Sequence, residues 1–213
     1  MVIRCVSLQH KGRYYPFKLH SLKLNKLGFE YPKLIWYLNR VFENCPNDYF
    51  ENGPRSSALK FGLNNLNIHQ IIGHEVSSLC RIGLNMNKER FRDNHQRVQV
   101  FMLENDDKTI GMEVPIWLNK DEYNYYSQTF RSDEPLTGHI DVLRIEDGKI
   151  WIWDYKPNAF SEKFASTQTF FYALMLSRRT EIPLENFRCG YFDEDYAFIF
   201  KPELKNLIKE SLL

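Results

Sequence analysis

Gly138-His139-Ile140-Asp141-Val142-Leu143-Arg144-Ile145-Glu146-Asp147-Gly148-Lys149-Ile150-Trp151-Ile152-Trp153-Asp154-Tyr155-Lys156 reads as two strands joined by a tight turn. Asp-Gly suits a two-residue type I′ turn, whose central positions both need positive φ. With Asp147-Gly148 at the turn, Glu146 pairs with Lys149, Ile145 with Ile150 and Leu143 with Ile152. Continued outward, that register sets Asp141 opposite Asp154. Lys156, two residues beyond Asp154, points the same way, and Trp151, Trp153 and Tyr155 occupy the other face. Apolar side chains on both faces predict an internal strand pair.

Opposed like charges destabilise a sheet. At about 5 Å and an effective dielectric near 20, two carboxylates repel by roughly 3 kcal/mol, a large share of the ~5–15 kcal/mol that stabilises a domain. A positive group is therefore required between them. Lys156 alone gives a self-neutralised structural pair. A divalent cation gives more, because Mg²⁺ or Mn²⁺ takes oxygen ligands and keeps positions open for water and phosphate oxygens.

Around this hairpin the period-two pattern predicts strands at 97–103 and 110–117, joined through the polar loop 104–109 as a second hairpin, with Pro115 favouring an edge. Upstream, Ile68, Ile72, Val76 and Leu79 predict a helix over 66–83. Leu34, Leu38 and Val41 predict another, ended by Cys45-Pro46. Downstream, Ser161 is the candidate cap of a helix ending near Arg178-Arg179, followed by strands near 187–193 and 196–200. Pro202 opens a last helix with Leu204, Leu207, Ile208 and Leu212 on its buried side.

A length of 213 residues with 43% hydrophobic and 26% charged residues fits one globular domain and excludes disordered, collagen-like and coiled-coil classes. The expected division is 1–65, a helical and basic N-terminal region; 66–200, the core; and 201–213, the C-terminal helix. No apolar run reaches membrane-span length, and the start lacks a signal-peptide pattern, so an intracellular, cytoplasmic location without a membrane is expected. Cys5, Cys45, Cys80 and Cys189 form no CxxC pair and are expected to be reduced and packed. Residues 1–100 carry a net charge of +8 and residues 101–213 a net charge of −7. A basic half suits a polyanionic partner.

Gly138-His139-Ile140-Asp141, followed by Asp154-Tyr155-Lys156 and then by Gln168 and Tyr172 on the next helix, resembles the catalytic core of the PD-(D/E)xK nuclease superfamily, particularly its RecB-like branch. The likeness spans about 110–175. It implies a restriction-endonuclease-like α/β fold, a mixed central sheet flanked by helices in the order αβββαβ. It also implies a Mg²⁺- or Mn²⁺-dependent deoxyribonuclease, exonuclease or endonuclease, in DNA repair, recombination or defence. Asp141 and Asp154 then ligate the metal and Lys156 is catalytic. Glu113 matches an acidic residue on the preceding strand and holds metal or water. Gln168 and Tyr172, four apart and so on one helix face, border the site and contact DNA.

The branch also carries a metal-ligating histidine on its early helix. On a helix over 66–83, His69 lies about 65° from the centre of the apolar stripe and His74 about 155°. His69 is therefore the preferred ligand, His74 the weaker one, and His139 an outside candidate. Relatives that bind an iron–sulfur cluster place three cysteines after the core. Only Cys189 follows it here, so no such cluster is expected. A degenerate module that grips nucleic acid, or a structural subunit of a helicase or repair complex, remain the alternatives.

Overall fold

The computed structural model describes residues 2–207. Its centre is the expected hairpin. Strands β5 (Leu136–Glu146) and β6 (Lys149–Tyr155) pair Glu146 with Lys149, Ile145 with Ile150 and Leu143 with Ile152. Asp147 and Gly148 turn the chain at φ 49° and 62°.

Eight strands form one sheet among the described residues, in the order β1-β2-β4-β5-β6-β7-β8-β3. The remaining strands are β1 (Ile3–His10), β2 (Arg13–His20), β3 (His69–Ile72), β4 (Thr109–Leu118), β7 (Phe187–Phe192) and β8 (Tyr196–Phe200). All neighbours are antiparallel except β6 and β7, which run parallel. That parallel pair needs a crossover, supplied by helix α7 (Ala165–Thr180). The other α-helices among the described residues are α1 (Ser21–Leu27), α2 (Pro32–Glu43), α3 (Tyr49–Asn52), α4 (Glu75–Met86), α5 (Asn94–Asn105) and α6 (Tyr126–Phe130). From α5 onward, with the short α6 inserted between β4 and β5, the order α5-β4-β5-β6-α7-β7 gives the αβββαβ core, with α5 rather than the helix expected over 66–83 in the leading place.

One face of the sheet packs on α7 and α2, with Leu143, Ile145, Ile150 and Ile152 against Phe170, Phe171, Leu174 and Leu34. Every residue of α7 from Ala165 to Leu176 is buried. That fits Phe170-Phe171-Tyr172-Ala173-Leu174-Met175-Leu176, which is apolar all round. On the other face Trp153 and Val142 pack on Val76 and Cys80 of α4 and on Val98 and Met102 of α5. No helix among the described residues is long and apolar enough to cross a membrane.

Several sequence expectations are corrected. The helix expected over 66–83 is divided: its first residues form edge strand β3, and α4 starts only at Glu75. Gly73 causes the break, because its φ of 73° cannot continue a right-handed helix. Residues 97–103 belong to α5 rather than to a strand. Asp93 caps that helix by accepting from the His95 amide at 3.2 Å, and Val98 and Met102, four apart, present one face to the sheet. The loop at 104–109 thus joins a helix to a strand. Its Asp106 accepts from the Thr109 amide at 3.1 Å.

Other differences lie toward the ends. The N-terminal region expected to be helical begins as the hairpin β1–β2, turned by Lys11 and Gly12 at φ 49° and 70°. Pro115 lies on an interior strand, although β2 pairs β4 only at Gly111 and Met112, so the missing Pro115 amide interrupts no ladder there. Helix α7 starts at Ala165, and Ser161 sits earlier, in a 3-10 turn at Ala159–Ser161. After Pro202 the chain forms a 3-10 turn at Leu204–Leu207 with Leu204 exposed. Ile208 and Leu212 lie outside the described residues. Cys80 and Cys189 are buried as expected, whereas Cys5 is exposed.

Candidate active site

The regular hairpin ends just where its carboxylates begin. The pairing of β5 with β6 runs out at Val142 and Trp153, while β6 continues on β7 through Asp154 with Tyr191 and Tyr155 with Phe192. The two strands therefore splay, and Asp141 does not sit in a ladder pair with Asp154. Its Oδ2 instead accepts from the Tyr155 amide at 3.0 Å, a side-chain carboxylate taking the place of a backbone carbonyl. The neighbouring strand is irregular at the same level, where Glu113 adopts φ 51°. Both strands lose their alternation here. Met112 and Val142 pack with α5, yet Val114 and Ile140, two residues along in each strand, lie in the core on the α7 side.

Asp154 is almost fully buried, at 1% exposure. Its Oδ2 is 2.6 Å from Lys156 Nζ, and its Oδ1 accepts from Gln168 Nε2 at 2.9 Å. Gln168 Oε1 accepts from Lys156 Nζ at 3.1 Å, which closes a ring of three side chains. Gln168 Nε2 lies 2.8 Å from the hydroxyl of Tyr172, one turn along α7. The expected four-residue spacing thus aims Gln168 at Asp154 and Tyr172 at Gln168. Gly138 makes room for this. A Cβ there would fall 2.3 Å from Tyr172 Cε1 and 2.5 Å from Ser56 Oγ.

The electrostatics are those of crowded acids. Burial, then repulsion by Asp154, pushes Asp141 up to about 7. Burial, then repulsion by Asp141, pushes Glu113 up to about 8, against the hydrogen bond it accepts from Gln99 Nε2 at 2.8 Å. Burial alone would lower the Lys156 ammonium, but the charges of Asp154 and Asp141 outweigh it and raise its pKa.

The structure does not bring the two favoured histidines to these groups. His69 is exposed on edge strand β3, opposite Ile199 of β8. His74 caps α4, accepting from the Val76 amide at 3.2 Å, with its ring 5.3 Å from that of Trp153. His139 turns to His10, its Nε2 2.8 Å from His10 Nδ1. Sequence reading missed His95. It lies on the first turn of α5 with Nε2 3.9 Å from Asp141 Oδ2 and its ring edge-on to Tyr155 at 5.0 Å. The available signal was Asp93 two residues ahead, a capping residue that marks a helix start at 94.

Among the described residues no three His, Cys, Asp or Glu side chains already converge on a common point as metal ligands. The donor chemistry nonetheless fits a hard divalent cation. Asp141, Asp154 and Glu113 are mutually repelling carboxylates with a single lysine among them, and an imidazole borders them.

A family model described as the PD-(D/E)XK nuclease superfamily matches residues 63–210. The chain belongs to that superfamily. A comparison with curated proteins finds no match. The eight-stranded, mostly antiparallel sheet flanked by helices is the restriction-endonuclease-like fold of PD-(D/E)XK nucleases. Membership makes the chain a nuclease-type protein acting on nucleic acid, of a superfamily whose members are generally metal-dependent.

Proposed function

We propose that this PD-(D/E)XK protein is a Mg²⁺- or Mn²⁺-dependent deoxyribonuclease of the RecB-like branch, serving DNA repair, recombination or defence. The observation that carries this reading is the buried ring of Asp154, Lys156 and Gln168 beside Asp141. It couples an acidic site to a lysine that stays protonated. Asp141 and Asp154 would hold the cation, with Glu113 and His95 at its border. A bound divalent cation supplies Lewis acidity toward a phosphodiester and lowers the pKa of its water.

The chain's own residues do the rest. Lys156 places positive charge where a pentavalent phosphorus would accumulate negative charge. Gln168 fixes Lys156 and Asp154 relative to one another from a buried position, 7% exposed, and Tyr172, 3% exposed, acts by holding Gln168. Glu113, with its raised pKa, is suited to exchange a proton with attacking water near neutral pH.

The test is digestion of circular and end-labelled linear DNA, single- and double-stranded, by the purified chain with Mn²⁺. Cleavage that stops with chelator and disappears in Asp154→Ala and Asp141→Ala, with both variants folded, is the expected result. Intact cleavage in either variant overturns it.

A further inference from the structure

Arg55 lies outside the residues matched by the family model, yet it is tied to the catalytic strand. It bridges in parallel to Thr137, next to the glycine that faces Tyr172. Its Nη1 donates to the Tyr15 hydroxyl at 2.6 Å, and its Nη2 lies 3.2 Å from His139 Nδ1. The chain of contacts continues inward. His139 Nε2 is 2.8 Å from His10 Nδ1, and His10 Nε2 is 2.9 Å from Asn47 Oδ1.

The two ends fix every proton in this chain. A guanidinium only donates, so His139 Nδ1 accepts and its hydrogen resides on Nε2. An amide oxygen only accepts, so His10 carries its hydrogen on Nε2 and receives the His139 hydrogen on Nδ1. The ring of Tyr15 stacks on His139 at 3.8 Å and that of Phe50 on His10 at 4.0 Å. The outcome is a guanidinium held by the neutral imidazole of His139, which the neutral His10 holds in turn. Among the described residues Arg55 has no carboxylate within ion-pair distance. Two of its five N–H groups are engaged, and its Nε is not a buried atom lacking a partner.

An oriented, unneutralised and partly exposed guanidinium beside a phosphodiesterase site is built for an anion. His139 is two residues, about 7 Å of strand, from Asp141. We propose that Arg55 binds a backbone phosphate of the nucleic-acid strand, within about two nucleotides of the one presented to Asp141 and Asp154, and that His139, His10 and Tyr15 position it. This rests on the nuclease reading above. The guanidinium is also near enough to Glu113 and Tyr172 to lower the pKa of both, as the smallest of several influences on each.

The test is fluorescence anisotropy with a labelled 20-nucleotide strand and the matching duplex, titrated from 50 to 200 mM salt. The full chain is used in an Asp154→Asn background so that the probe stays uncut. Adding Arg55→Gln, which keeps an N–H donor but removes the charge, should weaken binding roughly tenfold and lower the slope of log K against log salt by about 0.7 for the strand or 0.9 for the duplex. A merely structural role leaves that slope unchanged, so equal slopes in two variants of equal melting temperature overturn the proposal. If Arg55→Gln does not fold, Tyr15→Phe decides. It frees Nη1 while keeping the ring stack, and should weaken binding several-fold at constant slope, whereas unchanged binding overturns the proposal. A parent chain that binds neither probe removes the nuclease reading itself, while cleavage by wild type with an unchanged Arg55→Gln slope removes only the role of Arg55.

Discussion

Replacing Asp141 by Asn should change how the metal-free protein responds to pH. Burial and mutual repulsion raise Asp141 from 3.8 to about 7 and Glu113 from 4.5 to about 8. A carboxyl group whose pKa is raised on folding holds its proton more tightly in the native state. Its contribution is therefore fully present below the unfolded pKa and lost as pH climbs to the folded one. His10, His20, His74 and His139, all lowered chiefly by burial, work in the opposite sense. An unfolded imidazole is still half protonated at pH 6.5, so the buried His10, His74 and His139 together add back about 1 kcal/mol between pH 6.5 and 8, equally in wild type and in Asp141→Asn. At about 1.4 kcal/mol per proton per pH unit, Asp141 contributes over half a unit and Glu113 over one and a half, about 3 kcal/mol in the other direction. The net loss is about 2 kcal/mol. With a urea slope near 2 kcal/mol per molar, the unfolding midpoint should fall by roughly 1 M between pH 6.5 and 8 in EDTA. Asp141→Asn removes one titrating group and its repulsion on Glu113, and should abolish that fall. Mn²⁺ should restore the wild type increasingly as pH rises, since it binds the ionised carboxylates. Metal-free stability that is flat or rising above pH 6.5, or an Asp141→Asn variant with the wild-type slope, would refute the picture of crowded, partly protonated acids.

Three further outcomes are expected. Gly138→Ala should push Tyr172 off Gln168, costing about 1–3 kcal/mol through overpacking and lowering the melting temperature by about 5 °C; cleavage should fall with it, and an unchanged rate and melting curve would mean Tyr172 has room that the 2.3 Å approach denies. Calorimetric Mn²⁺ titration should find His95→Ala weakened by about tenfold or more, with His69→Ala and His74→Ala close to wild type. DNA affinity should drop steeply between 50 and 200 mM salt, and a flat response would detach the basic half of the chain from binding.

The hairpin was legible because its determinants are local. Asp147-Gly148 sets the turn, and a period of two then dictates which side chains share a face. Gln168 and Tyr172 were singled out by the family resemblance, and that they share a face follows from a spacing of four residues on a helix. The helices before the hairpin were misread where local signals compete. Val98, Val100 and Met102 alternate like a strand, but Val98 and Met102 also suit a helix face, and only packing against Val142 and Trp153 decides between them. Ile68, Ile72, Val76 and Leu79 keep helical phase across Gly73, but the left-handed φ of Gly73 ends β3 and separates it from α4.

The sequence by itself therefore determined the hairpin turn, the strands that carry Asp141, Asp154 and Lys156, and the helix that carries Gln168 and Tyr172, because each follows from spacing within one element or one tight turn; the nuclease reading came from the likeness of those residues to a known family. Only the tertiary structure decided which histidine borders the carboxylates, that the hairpin splays at Asp141, and that Arg55 meets His139. Those facts depend on contacts between residues such as His95 and Asp141, or Arg55 and His139, that lie 46 and 84 positions apart. No local periodicity carries information across such separations. They are fixed by which surfaces the folded sheet leaves for α5 and for the N-terminal hairpin to cover.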